Sequence, residues 1–282
     1  MGSDGISDRD SGGVAGRAVR EANVWLVGLG RFGFAAKGVV YTLIGVLALQ
    51  AAMGAGGQTT GQKGALEQIG EAPFGRLLLI AIGVGIVGYA LWRFIQAFMD
   101  TENKGRGAKG IAIRAGYFVI AMLHVSLAGS AFALVAGKKS NGDSTSGWTA
   151  QLMSQPFGRW LVALVGAAVI VYGLVQLYRA YSVKFRKKLL LNEMSAAEET
   201  WAIRLGCMGY SARGVVFAIV GIFLVVAAVY ANPEEARGLD GALAALAEQP
   251  WGWAVLGTVA VGLVAYGVFM FVQARYRRMV ID

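Results

Sequence analysis

QPFGRW, residues 155–160, stands at the head of a long apolar run, and near-copies head two others: APFGRL at 72–77 and QPWGWA at 249–254. Proline lacks a backbone N–H, so it fits the first turn of a helix, where that donor has no partner. An aromatic residue after it suits a membrane–water interface. The Pro-aromatic-Gly triplet therefore predicts a helix starting at a bilayer surface, three times over. Aligned on Pro73, Pro156 and Pro250, the chain repeats further residues at fixed offsets. Tyr89, Tyr172 and Tyr266 come sixteen residues later, and Gln96, Arg179 and Gln273 twenty-three residues later. Gly33, Gly116 and Gly209 lie about forty residues upstream. Self-similarity at a fixed period marks each copy as one structural unit.

The chain has 282 residues, 56% hydrophobic and 15% charged, whereas soluble domains carry about 25% charged residues. Apolar runs near 34–54, 74–99, 113–136, 157–182, 208–231 and 251–275 are each long enough to cross a hydrocarbon core about 30 Å thick. Six such runs, apolar all round, predict an all-α integral membrane protein of six transmembrane helices. They group as three tandem helical hairpins. Each hairpin contributes two spans, so all three share one orientation, and a pseudo-threefold bundle is expected.

Packing is predicted from small residues. They recur every seven positions along the return helices: Gly83, Ala90, Ala97; Gly166, Gly173, Ala180; Ala260, Gly267, Ala274. The first helices carry Gly38, Gly45, Ala52 and Gly214, Gly221, Ala228, with Ala121, Ala128 and then Val135 in the middle copy. Small faces let helix backbones approach in lipid, and a seven-residue period suits crossings near 20°.

The expected organisation is a disordered or interfacial tail at 1–24 and a first unit at 25–100. A second unit follows at 101–182, a linker at 183–200 and a third unit at 201–278. Ser195 and Glu198 form a capping-box signal for a short helix in the linker. GALEQIGEA and GALAALAEQ read as short amphipathic helices on the outer face. The middle copy is poorer there, with Trp148 and Leu152.

Net charge is +9. Of 26 Lys and Arg residues, twenty fall on the side bearing both termini; only Lys63, Arg76, Lys138, Lys139, Arg159 and Arg237 fall opposite. The positive-inside rule then puts both termini in the cytoplasm. The basic segments face anionic lipid headgroups. Nucleic acid is not an expected partner, because no aromatic–basic module accompanies the charge.

Catalytic signatures are lacking in the sequence: no nucleophile elbow, P-loop, paired carboxylates or metal-ligand spacing. No cofactor, metal site or enzymatic activity is expected. GLGRFG at 28–33 opens a membrane span and follows no strand, so it is not a dinucleotide site. Lys37 and Arg213 occupy equivalent positions in their first helices. Snorkelling to a nearby interface is the ordinary account of such residues. The functional account is an anion or lipid-headgroup site formed with Arg93, Gln96, Arg179 and Gln273. His124, the sole histidine, reads as a neutral ring bonded to a neighbouring helix rather than a proton relay. Tyr89, Tyr172 and Tyr266 read as interhelical hydrogen-bonding groups, with a ring lining a cavity as the functional alternative.

GYSARGVVF at 209–217, its copy GFAAKGVVY at 33–41, the Pro-aromatic-Gly triplets and the later tyrosines resemble a bacterial membrane family, domain of unknown function 1206. The resemblance covers about 25–278, and three tandem copies are usual for that family. The middle copy departs, with Ile120 at the basic position and His124 at the Tyr41/Phe217 position. The resemblance implies a bacterial integral membrane protein and supplies neither an activity nor site residues. The expected role is a non-catalytic accessory or scaffold protein of the bacterial inner membrane. Its expected partners are lipid, another membrane protein or a second copy of itself. The alternative is a small-solute channel or transporter, anions included, with a site near the pseudo-threefold axis.

Overall fold

The computed structural model describes residues 7–138 and 145–279, with side chains from Val24 onward. Residues 1–6, the loop holding Lys139, and 280–282 lie outside the described residues. Among the described residues nine α-helices follow in order: α1 (Ser7–Ala52), α2 (Gln62–Glu71), α3 (Gly75–Phe98), α4 (Ala108–Val135), α5 (Thr145–Met153), α6 (Gly158–Ser182), α7 (Ala196–Tyr230), α8 (Leu239–Ala247) and α9 (Gly252–Tyr276). Short 3-10 turns join some of them, and no strand occurs among the described residues. Among the described residues six helices are long and apolar enough to cross a membrane: α1 from Val24, α3, α4, α6, α7 and α9. Exposed aromatics mark both ends. Phe74, Phe157 and Trp251 stand at one, with Trp25, Phe98 and Tyr181 at the other, as in an interfacial aromatic belt. The end bearing both termini is called proximal here, and the opposite end distal.

Two boundaries differ from expectation. The segment expected to be a tail is helical from Ser7, continuous with the first span, because extending an existing helix avoids the nucleation cost. Ser195 does cap a helix, with the reciprocal Glu198 bond, but that helix is α7 itself. The cap thus starts a 35-residue helix running through the span.

The Pro-aromatic-Gly triplets start the return helices by another geometry than proline at the first helical position. The helices begin at Gly75, Gly158 and Gly252. Each triplet forms a turn closed by the glycine N–H to the carbonyl of Ala72, Gln155 or Gln249, at 2.8, 2.8 and 2.7 Å. Proline holds the second position. Phe74, Phe157 and Trp251 hold the third with φ of 62°, 61° and 60°, the positive φ that a type II turn demands. Glycine follows because the preceding short helix ends against it. A Cβ at Gly158 would lie 2.1 Å from the Leu152 carbonyl oxygen. So the triplet is a tight corner between a short distal helix and a return span.

The short helices α2 and α8 pack into the distal end of the bundle, where Leu66 and Leu243 are fully buried. In α5 only Thr149 is buried.

The small-residue rows join neighbouring units. Gly38 and Gly45 of α1 meet Gly267, Ala260 and Val264 of α9. Gly214 and Gly221 of α7 meet Gly173 and Gly166 of α6. The third joint is α3 on α4, with Gly83 against Phe132. Each first helix therefore packs on the return helix of the preceding unit, and α9 on α1 links the last unit back to the first. This is the cyclic pairing of a threefold bundle.

Within units the pattern is uneven. α1 packs on α3 and α7 on α9, whereas α4 and α6 scarcely meet among the described residues. The side chains explain why. Close packing in the first unit rests on Gly33 against Tyr89 and Ala36 against Gly85; in the third it rests on Gly209 against Tyr266 and Ala212 against Gly262. The middle unit has Val119 and Ala168 at the Ala36 and Gly85 positions. Val119 is 54% exposed, against 4% and 7% for Ala36 and Ala212. The bundle is a six-membered ring with one seam, between α4 and α6.

Candidate functional site

The axis of the ring is polar. Arg213 lies at the middle of α7 and Lys37 near the middle of the Val24–Ala52 span of α1, and each is only 6% exposed. The return helices fix their depth. The Lys37 ammonium sits 4.1 Å from the centroid of the Tyr89 ring, and the Arg213 guanidinium 4.3 Å from that of Tyr266. Both tyrosines lie just past the middle of helices of 24 and 25 residues, so the cations sit near mid-height of those spans. Snorkelling does not occur. The reason is that α1 and α7 reach well beyond the proximal ends of the return helices, leaving no interface within side-chain reach.

Arg213 donates to the Tyr266 hydroxyl at 2.6 Å and to Tyr172 at 3.4 Å. Its guanidinium also stands 5.1 Å from the Tyr41 ring centroid and 5.0 Å from that of Phe217. Tyr41 stacks edge-on against Tyr266 and accepts from Gln62 at 2.9 Å, which closes the site on the distal side. Arg93 donates twice to the Tyr89 hydroxyl, at 2.8 and 2.6 Å. Cation–π contacts supply about 2 kcal/mol when desolvated. They partly compensate a buried cation and leave its net charge in place.

Tyr172 and Tyr266 thus bond to Arg213 of another helix, whereas Tyr89 accepts from Arg93 of its own helix and meets Lys37 of α1 at its ring. His124 differs from expectation. Its Nδ1 pairs with the Ile120 carbonyl of its own helix at 2.7 Å, and its ring lies 4.6 Å from Tyr89. The i−4 carbonyl is the nearer acceptor, since α4 lacks a packed neighbour on its seam side. His124 Nε2 is buried without a partner, as is Arg213 Nε.

No carboxylate lies within 4.0 Å of Lys37, Arg93 or Arg213 among the described residues; the ion pairs there involve Lys104, Arg186, Lys188 and Arg277. Buried Lys37 and Arg213 and half-buried Arg93 therefore share an axial layer with no carboxylate in contact among the described residues.

Gln96, Arg179 and Gln273 form a second layer nearer the proximal end. Each unit places one glutamine carbonyl under an arginine: Gln96 accepts from Arg93 at 2.8 Å, Gln176 from Arg179 at 2.9 Å and Gln273 from Arg277 at 2.5 Å. Glu102, in the loop between α3 and α4, covers this layer. It accepts from Lys188 at 2.7 Å, Tyr117 at 2.8 Å, Gln96 at 3.0 Å and Arg277 at 3.3 Å. Main-chain pairing brings the two distant cations together: Leu190 N–H donates to the Tyr276 carbonyl and Arg278 N–H to that of Lys188. Burial alone would raise the Glu102 carboxyl, but Lys188 and Arg277 outweigh it and hold the group well below the ordinary carboxylate range.

A family model described as Domain of Unknown Function (DUF1206) matches residues 32–100, 115–182 and 208–277. These are the three hairpin units. The chain belongs to the DUF1206 family. It is also 37% identical over 260 residues to the uncharacterized protein YxxB of Bacillus subtilis (strain 168), covering 92% of this chain and 94% of that protein. No solved structure matches.

Within this DUF1206 protein the candidate set splits by depth. Lys37, Arg213, Tyr89, Tyr172, Tyr266 and His124 gather at the axis. Gln96, Arg179 and Gln273 lie in the proximal layer, and Arg93 bridges the two. Sequence reasoning missed Tyr41, Gln176, Glu102 and Arg277 as site residues. Gln176 was within reach, since it occupies the Arg93 position when the units are aligned on proline. Glu102 carries no such signal, because it lies in a loop and its partners are far along the chain.

Proposed function

We propose that this membrane protein binds an anion on the axis of its bundle, between Lys37, Arg213 and Arg93. Its setting is a bacterial inner membrane with both termini cytoplasmic, as the distribution of basic residues argues. One observation carries the reading: Lys37 and Arg213 are buried, with half-buried Arg93 beside them, and none of the three has a carboxylate partner among the described residues. A cation at the bilayer centre costs about 2.5–3.5 kcal/mol even on the mildest scale, and its retention there argues for a function. An inert scaffold needs no such layer. Ile120 shows that an apolar residue suits the same repeat position. Binding, as a carrier or as a ligand-dependent membrane component, is favoured over pure scaffolding.

The test uses the full chain in a neutral detergent at fixed ionic strength. Its thermal unfolding is followed with phosphate, acetate, palmitate or phosphatidylglycerol, in the native protein and in Lys37→Ile. Ligand at about 100 times its dissociation constant stabilises a protein by about 2.7 kcal/mol. We expect at least one of these anions to raise the unfolding temperature of the native protein and to lose that effect in Lys37→Ile. The ligand-free variant should unfold no lower than the native protein, since an unpaired buried charge has been removed. No response to any anion, or equal responses in both proteins, would refute axial anion binding.

A further inference from the structure

The axial site is closed distally by Gln62 on Tyr41 and covered proximally by Glu102. It is less closed from the side. Tyr89 and Tyr266 are buried, whereas Tyr172 of α6 and His124 of α4 are half-buried at the same level. Those two helices flank the seam. Repeat equivalence identifies its walls. Gly116 stands where Gly33 and Gly209 clamp their partner helices, yet a Cβ there would meet nothing within 4 Å. Val119 and Val171 stand where the first and third units bury Ala36, Gly88, Ala212 and Ala265, and they are 54% and 58% exposed. The seam therefore has apolar walls that open toward the hydrocarbon and a polar inner edge of His124 Nε2 and Tyr172, beside the uncompensated cations.

Exposed apolar walls beside buried positive charge match an acyl chain with an anionic headgroup. We propose that the axial ligand is such an amphiphile. Its carboxylate or phosphate rests on Lys37 and Arg213, and its chain leaves between α4 and α6 past Val119 and Val171. This rests on the axial anion reading and names the ligand class for that site. A ligand of this kind enters from the bilayer, so neither end of the bundle has to open.

The experiment measures binding to the full chain in neutral detergent by native mass spectrometry. One arm compares palmitate with acetate. A second compares phosphatidylglycerol with glycerol phosphate. Phosphatidylcholine serves as the control without net charge. The variants are Lys37→Ile and the doubly substituted Val119→Phe with Val171→Phe, whose large apolar side chains fill the seam from lipid-facing positions. We expect palmitate or phosphatidylglycerol to bind at least about tenfold more tightly than its short counterpart, as each buried methylene adds affinity. That preference should fall in the filled-seam variant, and long-chain binding should fall in Lys37→Ile. The arm that responds tells a free fatty acid from a phospholipid. Short anions binding as tightly as long ones, with dependence on Lys37, would overturn the amphiphile and leave the axial anion site standing. Phosphatidylcholine binding equal to the anionic lipids would overturn it as well. A seam-filling variant with unchanged long-chain preference would refute the route between α4 and α6. No binding by any anion would refute the axial reading itself.

Discussion

At the residue scale, Glu102 has the largest set of partners in the proximal layer, and its role follows from charge. Lys188, Arg277, Tyr117 and Gln96 all donate to it. Without the carboxylate, two basic groups would crowd a pocket already rich in arginine. We expect Glu102→Gln to destabilise the protein by about 2 kcal/mol. That is less than the 3–5 kcal/mol for breaking a fully buried pair, because the Lys188 side chain is partly exposed. The pH dependence has a definite sign. The folded carboxyl titrates below its unfolded value of about 4.3, so its contribution is complete above that pH and is lost as pH falls through the range beneath it. Unfolding of the native protein in detergent should become easier below about pH 4, and Glu102→Gln should flatten that slope. Equal slopes in the two proteins would remove Glu102 from this role. The role was not legible in the sequence. Glu102, Lys188 and Arg277 meet only through the pairing of the 183–195 segment with the end of α9, and neither charge runs nor periodicity encodes that.

At the element scale, the same glycine does different work in each unit. A Cβ at Gly33 would lie 2.5 Å from the Tyr89 backbone nitrogen, and one at Gly209 would lie 2.6 Å from the Tyr266 Cα. Gly116 faces open space. Gly33→Ala and Gly209→Ala should each destabilise the protein by about 2 kcal/mol or more through overpacking. Gly116→Ala should be neutral or stabilising by up to about 1 kcal/mol, because alanine is the better helix former. Denaturation of the three variants side by side checks this, and equal losses in all three would contradict a seam between α4 and α6. Here the sequence was largely readable. Gly116 aside, the repeated glycines, the seven-residue rows and the triplets marked real packing points, because close backbone approach leaves a compositional trace. What the rows did not disclose was their partner. Seven-residue spacing defines a face without saying which helix meets it, so packing between units rather than within them emerged only in the structure. The triplet was likewise read as the start of a return helix, but with proline in its first turn, whereas the helices begin at the glycine after a tight turn. Its aromatic residue takes a positive φ that sequence statistics disfavour outside glycine.

For the whole molecule, threefold pairing with one relaxed joint follows from a middle unit that has drifted from its neighbours. Val119, Ile120, His124 and Val171 are the departures. They remove a cation from the axis, add a half-buried ring and loosen one wall. The middle copy's deviation was visible in the sequence, but its consequence was not, since exposure depends on which helix would have covered those side chains. Six spans, three units and a positive charge on the terminal side were all legible, because hydrophobic length and loop charge act locally. The axial cation layer was half legible. Lys37 and Arg213 were named with snorkelling as the ordinary account, whereas the structure buries both side chains, because the helices bearing them extend well past the proximal ends of their neighbours.

The most direct test of the central claim is a high-resolution map of the protein purified with its native lipid, viewed along the axis. The account predicts non-protein density within hydrogen-bonding distance of Lys37 Nζ and the Arg213 guanidinium, with an elongated continuation between α4 and α6. An axis holding only tightly packed side chains, with Lys37 and Arg213 paired to a carboxylate of the chain itself, would contradict it.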